Sequence, residues 1–163
     1  MTVVVAVADG EAVAEFAIGD VVEGFGALAF AGFAVADDGV DAAVGAVAAF
    51  IGLVRDVNDG ESVRGMTLEH YPGMTEKALA DIVEQARSRW NVIDAVVVHR
   101  VGRLQPTDQI VLVAVASAHR GDAFAACEFV MDYLKTRAPF WKKEVTPSGE
   151  RWVEARASDD EAA

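Results

Sequence analysis

The order of elements legible in this 163-residue chain predicts an α+β fold of mixed, largely antiparallel sheets with two main helices. Three observations carry that prediction. Apolar runs of strand-like composition fall in pairs, and two other segments repeat their apolar residues at helical spacing. The strict strand–helix alternation of a doubly wound sheet is missing. The length suits a single domain, residues 1–163, large enough to bury its own core.

Taken in order, Thr2–Ala8 is a short apolar run closed by Asp9-Gly10, which reads as a strand and a turn. Residues 11–43 show no clean period; Gly24, Gly26 and Gly32 interrupt them, and they read as one short helix or loop. Those glycines lack the strand–turn–helix setting of a nucleotide fingerprint. Val44–Val54 is continuous and apolar, which predicts a buried strand running into the polar, turn-rich stretch Arg55–Gly60. Ser62–His70 alternates loosely as a strand, and Pro72-Gly73 breaks it. Thr75 is placed to cap the next helix, with Glu76 in its first turn. Leu79, Ile82, Val83, Ala86 and Trp90 then recur as one apolar helical face.

Val92–Val101 and Gln109–Ser117 are β-rich runs around Gly102–Asp108 and predict an antiparallel pair. A second helix is expected from about Asp122 to Arg137, with Phe124, Cys127, Met131 and Leu134 along one side. Pro139 ends it. Phe140–Val145 and Arg151–Ala155 predict a hairpin around Thr146-Pro147-Ser148-Gly149. The acidic tail Ser158–Ala163 is expected to fray.

Charge is spread unevenly. The formal net charge is -12, and residues 1–54 hold eight acids and no Lys or Arg. That acidity argues against nucleic-acid binding, which needs a broad basic face. Against this background Lys135, Arg137, Lys142 and Lys143 crowd one short stretch with Phe140 and Trp141. Concentrated cations repel one another unless an anion visits, so the stretch reads as a phosphate or carboxylate site. The plainer alternatives stand beside it. Lys135 would complement a helix dipole, and Lys142 and Lys143 would guard a strand edge. Aromatic walls favour the pocket, since they exclude water and strengthen anion contacts.

His119-Arg120 stands where a strand meets the second helix, and Arg55 ends the apolar strand as the first cation of the chain. Such boundaries concentrate functional residues, although a surface His-Arg pair fits the position as well. His70 and His99 are isolated beside strands and read as structural rather than as ligands. Cys127 lies among apolar neighbours and reads as a buried, inert thiol. One cysteine cannot form an intrachain disulfide, which suits a reducing compartment; with no basic N-terminal region for a secretory signal, the cytoplasm is expected. The longest apolar runs are thirteen residues, too short to span a bilayer. No zinc spacing, catalytic triad or phosphate-binding loop is legible, so neither a metal nor a cofactor is expected.

Four motifs then carry a resemblance. Phe50-Ile51-Gly52-Leu53-Val54-Arg55, Leu68-Glu69-His70-Tyr71-Pro72-Gly73-Met74, Ser117-Ala118-His119-Arg120 and Lys135-Thr136-Arg137-Ala138-Pro139-Phe140-Trp141-Lys142 resemble signatures of the large, catalytic subunit of molybdopterin synthase. The resemblance covers about residues 44–157 as a catalytic core, with residues 1–43 as a divergent N-terminal segment. It implies a hammerhead-type α/β fold and a homodimer within a heterotetramer. Each large subunit would bind a small ubiquitin-like sulfur carrier whose C-terminal Gly-Gly is activated as a thiocarboxylate. The substrate would be cyclic pyranopterin monophosphate, converted to molybdopterin by two sulfur transfers. By the same resemblance Lys135 is the main catalytic residue and Lys142 its acid–base or electrostatic partner. Arg55, His119 and Arg120 would form the substrate-phosphate pocket, with Arg156 as a further candidate and some of them supplied across a dimer. The ending Asp160-Glu161-Ala162-Ala163 is not that of the carrier itself. The competing expectation is a non-catalytic module that docks a ubiquitin-like partner or a phosphorylated ligand with the same cations.

Overall fold

The computed structural model describes residues 3–9, 42–58 and 60–153. Among them nine strands and two helices follow one another: β1 (Val3–Asp9), β2 (Ala46–Leu53), β3 (Val57–Asn58), β4 (Glu61–Ser62), β5 (Gly65–His70), α1 (Met74–Arg89), β6 (Val92–Leu104), β7 (Gln109–Ser117), α2 (Arg120–Thr136), β8 (Phe140–Thr146) and β9 (Gly149–Val153). The α+β architecture expected above is the one found. The expectations for residues 11–41 and for the tail lie outside the described residues.

The long strand β6 is the spine. Its Val92–His99 portion pairs antiparallel with β7, and Ala95–Val101 pairs in parallel with β1. From Gly102 to Leu104 it pairs instead with β5. Gly102 sits at φ 80°, a left-handed conformation that turns the strand between the two pairings and favours a residue without Cβ. β2 extends the first sheet from β7, while β8 and β9 extend the second from β5. Every described pairing apart from β1–β6 is antiparallel.

The two helices bury their apolar stripes on this sheet. Leu79, Ile82, Val83 and Ala86 of α1 join Ala123, Ala126, Cys127, Val130 and Leu134 of α2 against Val97, Val113 and Val115. Each fully buried Val, Leu or Ile contributes roughly 1.5–3 kcal/mol over an exposed one. No helix among the described residues is long and apolar enough to cross a membrane.

Three local expectations are corrected. Thr75 does not cap α1: Gly73 does, at φ 81°, and its N–H donates to the Glu76 carboxylate at 2.6 Å. Thr75 is buried inside the first turn, where its hydroxyl donates to the Tyr71 carbonyl at 3.0 Å. Phe124 is exposed, because the buried stripe of α2 centres on Ala123, Cys127 and Val130, about 100° around the helix from it. Among the described residues, the apolar strand at 44–54 is an edge rather than a buried strand. α2 covers one side of β2, and Val47, Phe50 and Leu53 remain exposed on it.

Candidate active site

Lys135, Arg55 and Lys142 come from three different elements and line one cleft of about 730 Å³. Lys135 stands in the last turn of α2, which Arg137 closes by donating its N–H to the Tyr133 carbonyl at 2.8 Å. Pro139 then stops the helix, and β8 returns beneath its end. Arg55 lies two residues after the end of β2, where the intervening Val54 donates to the Asp108 carbonyl at 2.9 Å and accepts from Thr107 at 2.8 Å. Lys142 sits on β8 opposite Leu68 of β5. Apolar walls from Phe50, Leu53, Met66, Leu68, Ile110, Met131 and Leu134 complete the cleft.

Strand alternation sorts the basic stretch into two populations. Phe140, Lys142 and Glu144 line the cleft, whereas Lys143 pairs with Glu150 at 3.0 Å and lies over the Trp152 ring. Trp141 is half exposed and absent from the lining, so of the two aromatics expected as walls only Phe140 serves as one. Arg137 donates to the Tyr133 hydroxyl at 3.1 Å.

The cations rest on a buried carboxylate. Glu144 accepts from Lys142 Nζ at 2.7 Å, from Arg151 Nη2 at 3.2 Å and from Asn58 Nδ2 at 3.0 and 3.1 Å. Burial pushes its carboxyl up, but the hydrogen bonds from Lys142, Asn58 and Arg151 prevail and hold it below the ordinary value of 4.5. Arg151 also pairs with Glu61 at 3.2 Å, and Arg55 reaches Asn58 Oδ1 at 3.5 Å. One continuous polar network therefore ties the loop after β2 to β8 and β9.

His99, on the floor of the cleft, stacks on Phe140 with ring centroids 4.1 Å apart. Its Nδ1 faces the Arg100 carbonyl at 2.9 Å and so carries the proton. Burial keeps the imidazole neutral down to about 4; the Arg100 contact opposes this and nearby His70 adds to it. Cys127 is buried, and burial with nearby Glu128 pushes its thiol up to about 11, an inert state.

His119 and Arg120 are not part of this cleft within one protomer. They sit exposed at the opposite end of α2 from Lys135, about 22 Å along the helix axis. Arg156 lies outside the described residues. Asn58, Glu144 and Arg151 were missed by sequence reasoning, which read His99 as structural. The shared strand face of Lys142 and Glu144 was legible from their i, i+2 spacing. Asn58 and Arg151 reach the site only through tertiary pairing. Among the described residues no group of three His, Cys, Asp or Glu could hold a metal ion.

Comparison with known proteins gives this geometry its family. The MoaE protein family model matches residues 29–137, beginning within the segment read as divergent. A relative from Ralstonia nicotianae, a molybdopterin synthase catalytic subunit, is 71% identical over 119 residues, covering 73% of this chain and 68% of the relative. The subunit of the same name from Escherichia coli is 64% identical over 119 residues, covering 73% and 79%. The solved MoaE protein of Burkholderia ambifaria superimposes with a TM-score of 0.71 at 50% identity, covering 98% of this chain and 95% of its own. By sequence and by fold, the chain belongs to the MoaE family, whose curated relatives here are the catalytic subunits of molybdopterin synthase.

Proposed function

We propose that the cleft lined by Lys135, Lys142 and Arg55 is the sulfur-transfer site of a molybdopterin synthase catalytic subunit. The observation that carries the reading is the convergence of these three cations, from α2, β8 and the loop after β2, on one cleft with apolar walls. The relatives named above are catalytic subunits, which supports a small-subunit partner for this chain. In this reading the partner's C-terminal thiocarboxylate enters the cleft beside cyclic pyranopterin monophosphate. Two anions brought together in an apolar cleft would cost several kcal/mol without matching cations. Lys135, on the rim, meets the thiocarboxylate and the reacting pterin carbons. Lys142, anchored on Glu144, stabilises charge as it develops or exchanges a proton. Arg55 binds the substrate phosphate.

His119 and Arg120 serve this cleft from a second protomer, since their own protomer holds them at the far end of α2. A homodimer follows from that assignment, and one small carrier bound to each subunit would make it a heterotetramer. Arg156 is retained as a further phosphate ligand. The reading also keeps one domain with its catalytic core at about residues 44–157, and a cytoplasmic setting in keeping with the buried, unbridged Cys127.

The test is reconstitution with thiocarboxylated carrier and pterin precursor. Lys135→Ala is expected to abolish molybdopterin formation while the fold and carrier binding persist. Full activity in that variant would remove Lys135 from the chemistry. Binding without product in the unaltered chain would identify a docking module instead.

A further inference from the structure

Four acceptor positions of the Glu144 carboxylate are occupied, and one neutral side chain fills two of them. Asn58 Nδ2 reaches Oε1 at 3.0 Å and Oε2 at 3.1 Å, beside Lys142 on Oε1 and Arg151 on Oε2. The same amide accepts from Arg55 Nη2 through Oδ1, and the Asn58 backbone carbonyl accepts from Arg151 at 3.2 Å. Asn58 is buried and is held by the short ribbon in which it pairs with Glu61.

We propose that Asn58 is a positioning residue for sulfur transfer: its amide holds Glu144 between Lys142 and Arg151 and ties Arg55 to the same hub. One buried carboxylate then sets the location and the charge balance of two cleft cations. The inference rests on the cleft being the sulfur-transfer site. Its physical basis is the two-sided chemistry of an amide, which donates to a carboxylate from one edge and accepts from a guanidinium on the other. Without it, Lys142 or Arg151 can draw both carboxylate oxygens to itself, and a displaced ammonium costs rate steeply. The charged groups around this hub are Lys142 on β8, Arg55 after β2, Arg151 on β9 and, paired with Arg151, Glu61 on β4; His99 on β6 and Lys135 on α2 line the same cleft. From β5, the residues opposite Glu144 and Lys142 are the apolar Met66 and Leu68.

The test uses the full chain, thiocarboxylated carrier and pterin precursor. Asn58→Ala is expected to lower kcat on the order of tenfold, with KM changed by less than about twofold. Asn58→Asp matches the volume but loses the amide donor that faces Glu144, and is expected to lower kcat at least as far as Asn58→Ala, again with little change in KM. Asn58→Asp combined with Glu144→Gln restores one carboxylate and one amide in exchanged places, and is expected to recover part of the lost kcat. Unchanged kcat in Asn58→Asp, or an exchange variant no more active than the single ones, overturns the proposal, because lost packing alone would not be repaired by the exchange. If circular dichroism shows Asn58→Ala unfolded, the Asp variant and the exchange decide the matter. Lys142→Ala separates the two readings. Full activity there overturns the cleft itself, whereas lost activity there with unaltered kcat in both Asn58 variants overturns the positioning role alone.

Discussion

Glu144 and His99 make the cleft sensitive to acid by opposite chemistry. The Glu144 carboxyl is held below 4.5 by its three partners, so its contribution is present above that value and is lost as pH falls through the folded one. His99 stays neutral in the fold down to about 4, while the unfolded chain takes up that proton near 6.5. Between those values the unfolded state binds more protons, so stability falls with pH at roughly 1.4 kcal/mol per unit. Urea midpoints measured from pH 7 to 4 are expected to decline throughout. His99→Gln is expected to flatten the decline above 4.5 and to leave the part below it; a decline unchanged by that substitution would remove His99 as its source. Cys127 gives a contrasting expectation. Its buried thiol has little thiolate near neutrality, so iodoacetamide is expected to label it only after denaturation, and mass spectrometry of the native protein checks this.

At the scale of elements, spacing located every described strand longer than two residues and both helices, and it erred where neighbours decide exposure. The apolar stretch around Val47 and Phe50 looks the same in sequence whether a strand is central or marginal. Only the sheet order makes β2 an edge among the described strands. Its seating on β7 is tight at one end. The Gly45 N–H donates to the Ser117 carbonyl at 3.0 Å, and a Cβ on Gly45 would lie 2.2 Å from the Ala118 carbonyl oxygen. Gly45→Ala is therefore expected to destabilise by roughly 1–3 kcal/mol, as an over-packed contact does. Gly121, in the first turn of α2, has open space where a Cβ would go, so Gly121→Ala is expected to stabilise by about 0.5–1 kcal/mol. Urea denaturation of the pair tests both signs together. A neutral Gly45→Ala would mean that the start of β2 relaxes away from β7.

The molecule as a whole raises the question of where the second half of the basic set belongs. A rigid α2 keeps Lys135 and Arg120 at its two ends, so no rearrangement short of breaking the helix brings them together in one protomer. If the proposed site is composite, a protomer carrying Lys135→Ala and one carrying Arg120→Ala each lack a different part of it. Each variant alone is expected to be inactive. Mixed by co-expression, they are expected to recover roughly a quarter of the activity, because half of the dimers are mixed and half of the sites in those are intact. No recovery, with dimers verified by light scattering, would confine His119 and Arg120 to some role outside the cleft.

Local sequence carries the elements, the α+β class, the family resemblance and the candidacy of Lys135, Lys142 and Arg55 as site residues. Each is written in short-range form: a 3.6- or 2-residue period, a proline break, or a motif of adjacent residues. Tertiary structure alone decided that those three cations share a cleft and that His119 and Arg120 lie a helix length away from it. It also decided that the buried support is Glu144 with Asn58 and Arg151. Asn58 and Glu144 lie 86 positions apart and meet at 3.0 Å. Their contact depends on sheet order and register, which no local period encodes, and so does the burial that gives a carboxylate among cations its strength.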